Sequence, residues 1–198
     1  TQWPSSAASD VYKRQGKVDR ISPEAPVPIV TVKNREVRLG GAANVALNIK
    51  ALGATPVMCA VIGKDRDGDK LRELVQAENM SDAGIIDSAE RMTTSKTRVI
   101  GNKHQVIRVD AEDDHALSTN EEQALLAKIN ELVAVGDIDV VIFQDYDKGV
   151  ITENLIAEVI KTCTEKGIPT AVDPKKRNFM HFKGATLFLS LIHISEPT

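Results

Sequence analysis

The residues of this sequence with the most evident chemical use lie in Gly40-Gly41-Ala42-Ala43-Asn44-Val45-Ala46. Two adjacent glycines let a backbone approach a ligand with no Cβ in the way. Small residues follow, and then Val45, Ile49 and Leu52 recur at helical spacing. The glycines therefore sit where a helix begins. A helix start offers unpaired N–H groups and a positive dipole end, which favour anions and hydroxyl oxygens. Asn44 falls in the first turn, where its amide can donate and accept, and Asn48 shares its face. A tight loop followed by an ordinary packed helix would use the same glycines. The stretch is neither a dinucleotide fingerprint nor a Walker A loop, since G-x-G-x-x-G and Gly-Lys-Ser/Thr are both absent.

Three further groups could do chemistry. Asp145-Tyr146-Asp147-Lys148-Gly149 and Asp173-Pro174-Lys175 each follow a short apolar run. Charged groups at the carboxyl ends of parallel strands are where α/β folds place their sites. A turn carboxylate and a solvated lysine would read the same way at Asp173 and Lys175. Lys96 and Arg98 share one face of a strand at period 2, and Arg108 joins them across a pair. Either this is a solvated strand face or it is a phosphate clamp, because guanidinium forks match phosphate oxygens. The four histidines have no metal-ligand spacing, so no metal site is expected. Cys59 and Cys163 stand alone on apolar segments and are expected to be core thiols.

These groups need elements to hold them. Residues 20–28, punctuated by Pro23, Pro26 and Pro28, suit an edge or a crossing loop. Residues 29–39 alternate as a strand. Gly53 closes the first helix, and residues 55–62 read as a buried strand ending at Gly63. A turn over residues 63–68 leads to a helix over about 69–78 with Leu71, Leu74 and Val75 on one face, then a short strand over 84–87. Residues 94–100 and 105–110 pair around Gly101-Asn102. Ser118 and Thr119 open a helix with Glu121 and Glu122 at capping-box distance, its apolar face running from Leu125 to Val133. Residues 139–143 are nearly all apolar, as in a parallel strand covered on both faces. Thr152 caps a helix with Leu155, Ile156, Val159, Ile160 and Cys163 inward; Lys166-Gly167 ends it. Strands over 170–172 and from 185 to 188 complete the pattern.

The alternation from residue 55 onward predicts an α/β fold with a doubly wound, mostly parallel sheet. Residues 27–39 and 94–110 interrupt it and are expected to form a small β lid. A chain of 198 residues suffices for one such domain, and 42% hydrophobic with 27% charged residues is ordinary for a globular chain. A net charge of −3 argues against a nucleic-acid surface. No apolar run reaches the roughly 18 residues of a membrane span.

Residues 1–15 and 189–198 have no coherent period and resemble translated sequencing-adapter sequence, so both are expected to be non-native or disordered tails around a domain over residues 16–188.

Six residues separate Ala46 from Gly53, and nine separate Gly53 from Gly63. With Gly40, Gly41 and Asn44, that spacing resembles the N-terminal signature of the ribokinase-like (PfkB) carbohydrate kinases. Arg20-Ile-Ser-Pro-Glu-Ala-Pro-Val-Pro28, Gln105-Val-Ile-Arg-Val-Asp110, Asp145-Tyr-Asp-Lys-Gly149 and Asp173-Pro-Lys175 occur in the order found in heptose-7-phosphate kinase domains, which are often fused to an adenylyltransferase. The resemblance implies transfer of the γ-phosphoryl of ATP, with Mg²⁺, to the anomeric hydroxyl of heptose 7-phosphate, for lipopolysaccharide core synthesis in the cytoplasm. It implies Gly40, Gly41 and Asn44 on sugar hydroxyls, and Arg20, Lys96, Arg98 and Arg108 as candidates for the sugar phosphate. It places Asp145, Lys148, Asp173 and Lys175 toward nucleotide and transferred phosphate. It also allows a homodimer through the lid.

The sequence departs from that pattern. The family's first strand should precede Gly16, its Pro-Asn-x-x-Glu motif should follow Phe188, and its base-bearing Gly-x-Gly-Asp loop is absent. The expectation is a kinase domain truncated at both ends and inactive alone, its general base lying beyond the C-terminus. Two other readings stand beside it: a non-catalytic sugar-phosphate-binding module, and a ribokinase-like kinase for another sugar.

Overall fold

The computed structural model describes residues 9–189. The chain divides into two compact units, one ending at Asp113 and the other beginning at Asp114.

In the first unit β1 (Ser9–Ile21) and β2 (Pro28–Gly40) form an antiparallel hairpin. The proline-punctuated stretch is its connection: Ser22 N–H donates to the carbonyl of Val27 at 2.9 Å. Residues 9–15, expected outside the fold, belong to β1. Ladder bonds require an extended backbone and not particular side chains, so an unpatterned stretch can be recruited to a waiting edge. Residues 1–8 and 190–198 lie outside the described residues. At Gly16 the register shifts, and a Cβ there would lie 2.1 Å from the carbonyl oxygen of Thr31.

Next come α1 (Gly41–Ala51), β3 (Val57–Gly63), α2 (Arg66–Ala77), β4 (Ser81–Ser88), β5 (Ser95–Gly101) and β6 (His104–Ala111). Strands β2-β1-β5-β6 make one mixed sheet, in which β1 runs parallel to β5 and lies between the two stretches expected for the lid. Strands β3 and β4 pair in parallel. The β5–β6 turn falls one residue later than the Gly-Asn signal, at Asn102 (φ 50°) and Lys103 (φ 71°). Two successive left-handed residues suit a two-residue hairpin, whose twist matches that of the strands.

Helix α1 does not bury the face predicted for it. Leu52 is 87% exposed, while Ala43 and Ala46 are buried beside Leu39, Met58, Ala60 and Ile62. Small residues let the helix axis approach the strands closely, so the inward stripe is alanine and not the larger aliphatics. Leu71 and Val75 of α2 are fully buried in the same core, each stabilising by roughly 1.5–3 kcal/mol. Both helices close with a left-handed residue, Gly53 (φ 90°) and Asn79 (φ 51°), whose following N–H turns back to the carbonyls of Ile49 and Val75. Cys59 reaches the surface of β3 between buried Met58 and Ala60, yet its surroundings desolvate the thiol and push its pKa up to about 11.

The second unit holds α3 (Thr119–Val135), β7 (Val141–Gln144), α4 (Glu153–Glu165), β8 (Thr170–Asp173) and β9 (Leu187–Phe188). The three strands are parallel, in the order β7-β8-β9. The capping box at Ser118 and Glu121 forms, and Thr152 accepts from Leu155 N–H at 3.1 Å to start α4. All five predicted inward residues of α4, Cys163 included, are buried. Strand β7 is covered on one face only: Phe143 is buried, but Ile142 is 40% exposed. Period-2 burial here replaces the two-sided cover that its composition predicts. Among the described residues, no helix is long and apolar enough to cross a membrane.

Candidate functional site

The sequence-predicted residues fall into two groups, one in each unit. In the first unit, Gly40 precedes α1 in an extended conformation and Gly41 sits at φ 53°, a left-handed value that favours glycine. No side chain caps this helix and its first turn carries no acidic residue. Its leading N–H groups therefore remain available to a ligand oxygen. Asn44 is half-buried and makes no side-chain hydrogen bond among the described residues. An amide kept beside such a helix start, and not spent on the fold, suits a polyhydroxylated ligand.

The basic residues on β1, β5 and β6 separate into different roles. Lys96 is 6% exposed, and its ammonium donates to Asp110 at 2.9 Å and Glu112 at 2.8 Å. Arg108 also pairs with Asp110, at 3.0 Å. Burial pushes the Asp110 carboxyl up, but Lys96 and Arg108 together hold it below its ordinary value. Lys96 is thus an internal strut between β5 and β6. Arg98 lies directly opposite Arg108 in the ladder and has no side-chain partner among the described residues. Arg20 is exposed on β1, opposite Ile29. Of the expected phosphate-binding cations, Arg98 and Arg20 are the ones the fold leaves uncommitted.

Beside these strands, the loops after β3 and β4 enclose an open depression of about 530 Å³ lined by residues including Lys64, Asp65, Ser88, Glu90 and Asp113. Asp65 shapes it. Its carboxylate accepts from Gly68 N–H at 2.7 Å and Thr93 N–H at 2.8 Å. Burial pushes the pKa of this carboxyl up, but the Thr93 and Gly68 N–H groups outweigh that and hold it below its usual range. A Cβ on Gly63 would lie 2.4 Å from Asp65 Oδ2, and one on Gly68 would lie 2.4 Å from the Gly63 carbonyl oxygen. The turn is read easily from Gly63-Lys64-Asp65-Arg66-Asp67-Gly68. The helix begins at Arg66, inside the stretch read as turn and before the start expected near residue 69, which makes Asp65 its cap.

In the second unit, β7 and β8 end together, Gln144 opposite Asp173. Gln144 Nε2 donates to Asp173 Oδ2 at 2.6 Å. Asp145 is 1% exposed. One of its oxygens accepts from Asp147 N–H at 2.8 Å; the other accepts from Lys175 N–H at 3.2 Å and Asn178 Nδ2 at 3.1 Å. Both carboxylate oxygens of Asp145 are therefore spent on protein donors. Asp147 is left-handed at φ 57° and pairs with Arg177 at 2.8 Å. Lys148 and Lys175 are half-buried, and the Lys175 ammonium stands 6.0 Å from the centre of the Tyr146 ring. Burial, and then the charge of Asp173, push the Tyr146 hydroxyl upward. Asn178, Gln144 and Arg177 carried no sequence signal, because their roles arise only when two strand ends meet.

The chain matches the description "pfkB family carbohydrate kinase" over residues 6–198. It belongs to the pfkB carbohydrate kinase family. It is 44% identical over 172 residues to the bifunctional protein HldE of Caulobacter sp. strain K31, covering 87% of this chain and 34% of that protein. To HldE of Citrifermentans bemidjiense it is 40% identical over 173 residues, covering 87% and 35%. The chain thus spans about a third of the length of these relatives. Among solved structures, phosphofructokinase-2 from Escherichia coli in complex with fructose-6-phosphate superposes with a TM-score of 0.62 at 19% identity, covering 89% of this chain and 55% of that one. Arabidopsis thaliana ribokinase complexed with ribose and ATP gives 0.57 at 14% identity, covering 85% and 51%. The fold is ribokinase-like: mixed α/β, with parallel strand pairs in both units.

Proposed function

We propose that the protein carrying this chain is an ATP-dependent sugar kinase. In this reading it transfers the γ-phosphoryl group of MgATP to the anomeric hydroxyl of D-glycero-D-manno-heptose 7-phosphate. It acts in the cytoplasm, on the way to lipopolysaccharide core heptose. The observation that carries it is the uncapped Gly40-Gly41 helix start with Asn44 uncommitted in its first turn. The motif from Arg20 to Pro28, and identity to proteins named HldE, support the heptose substrate over fructose phosphate or a nucleoside.

The chemistry asked of these residues is positioning and charge stabilisation. Phosphoryl transfer runs through a loose transition state with charge spread over three oxygens. The α1 N–H groups and Asn44 would orient the sugar hydroxyls. Arg98 and Arg20 would hold its phosphate, with Lys96 and Arg108 supporting them from the Asp110 network. Lys148 and Lys175, at the ends of β7 and β8, would offset charge on the nucleotide phosphates, with Asp173 beside them. No group of three His, Cys, Asp or Glu stands together among the described residues. Magnesium would therefore arrive on the nucleotide and meet at most one or two protein carboxylates. The general base is assigned to sequence following β9. We also propose that the complete protein dimerises through the mixed sheet, whose edge strand β6 exposes Val106, Ile107 and Val109.

A second reading is binding without transfer. Under it the carboxylate of Asp145, buried and held by three protein donors, has no part in transfer. A coupled ADP-release assay separates the readings when run on this 198-residue chain and on a longer reading frame containing it. The expected result is turnover by the longer protein, with kcat/KM for heptose 7-phosphate about 100-fold or more above that for fructose 6-phosphate and ribose. Equal or better use of fructose 6-phosphate would overturn the heptose assignment. Tight heptose 7-phosphate binding without ADP release would establish the binding module.

A further inference from the structure

We propose that Asp145 and Asn178 form a buried clasp that positions the loops at the carboxyl ends of β7 and β8, and through them Lys175. Asn178 is then a positioning residue that touches no ligand. This deepens the kinase reading and rests on its placement of nucleotide phosphates at those loops.

The argument starts from the cost of burying charge. A carboxylate withdrawn from water is tolerated only where donors replace its hydration. Asp145 is 1% exposed and receives three donors, all from the two loops: Asp147 N–H, Lys175 N–H and the Asn178 amide. Asp145 N–H in turn donates to the Asp173 carbonyl at 3.2 Å. Asn178 is 6% exposed and spends the same amide nitrogen on the carbonyl of Ile151, at 2.9 Å. Its own N–H closes a turn onto the Lys175 carbonyl at 3.2 Å. One side chain therefore joins the loop after β8 to both ends of the segment between β7 and α4.

The backbone held in this way is not relaxed. Asp147 is left-handed, a region that non-glycine residues populate sparsely. Its N–H is fixed by Asp145 and its carboxylate by Arg177, which also donates to the Asp114 carbonyl at 3.1 Å. Lys175 takes its place over Tyr146 because its N–H is anchored to Asp145. The carboxylate at the end of β7 thus serves nucleotide binding through backbone geometry, without meeting the nucleotide.

The test compares wild type with Asn178→Ala in the complete protein carrying this chain, by amide hydrogen exchange and steady-state kinetics. Loss of the clasp should expose the amides of Asp147 and Lys175 to exchange. It should raise KM for ATP about tenfold and leave KM for the sugar within about twofold. If Asn178→Ala does not fold, Asn178→Ser keeps a shorter donor and should give a smaller shift with the same split. Unchanged exchange at both amides, or equal shifts in both KM values, would overturn the clasp. If wild type takes no ATP, the kinase reading fails by itself, and exchange at the two amides alone decides whether the clasp exists.

Discussion

The backbone N–H of Thr93 points into the carboxylate of Asp65, 2.8 Å from Oδ2, while the other oxygen caps α2 through Gly68. Residues 28 positions apart in sequence share one charged acceptor. The helix start and the loop leading into β5 therefore depend on each other.

Asp65→Ala should destabilise the fold by about 1–3 kcal/mol, combining a lost cap with an orphaned loop N–H. The pH dependence follows from the lowered pKa of Asp65 in the folded state. Such a group stabilises fully above its unfolded value, about 3.9, and the contribution is lost as pH falls through the lower folded value. Urea unfolding of wild type and variant should differ most near neutrality and converge in acid. A gap that stays constant down to pH 2 would show that Asp65 is not the titrating group.

Asn44→Ala should leave stability within about 0.5 kcal/mol, because the amide serves no described partner. Sugar affinity should fall by about 1–3 kcal/mol. Calorimetric titration with heptose 7-phosphate, beside a thermal melt, measures both. Unchanged affinity removes Asn44 from the site.

Lys96 and Arg98 should behave oppositely. Lys96→Met strands Asp110 and Glu112 and should cost about 1–3 kcal/mol of stability, moderated because both carboxylates are partly exposed. Arg98→Ala should leave the melting temperature unchanged and raise KM for the phosphorylated sugar far more than for its unphosphorylated counterpart. Equal KM effects on both sugars would return Arg98 to an ordinary strand surface.

Gly149→Ala and Gly136→Ala share a left-handed φ but not an environment. A Cβ on Gly149 (φ 73°) would come 1.7 Å from the His115 carbonyl oxygen, whereas one on Gly136 (φ 92°) meets nothing within 4 Å. Gly136→Ala should cost about 1 kcal/mol, the conformational penalty alone. Gly149→Ala must also displace the loop at His115 and should cost more, on the order of 3 kcal/mol. Matched melting temperatures would show that this loop yields freely.

Much of this protein is set by chemistry local in the chain. The capping box at Ser118, the Thr152 cap, the glycine closures at Gly53 and Gly167 and the inward stripe of α4 depend on residues a few positions apart. Family membership was legible in the spacing of Gly40, Gly41, Asn44, Gly53 and Gly63, which resembles the pfkB signature. Long-range pairing decided the rest. Lys96 read as a candidate phosphate ligand until β6 brought Asp110 and Glu112 to its ammonium. Asp145 read as a carboxylate toward the phosphates; the loop after β8 brings the Lys175 N–H and the Asn178 amide to it. A charged side chain's role is set by which donors and acceptors reach it first. For groups 14 to 33 residues apart in the chain, only the register of strands and the meeting of their ends determines that.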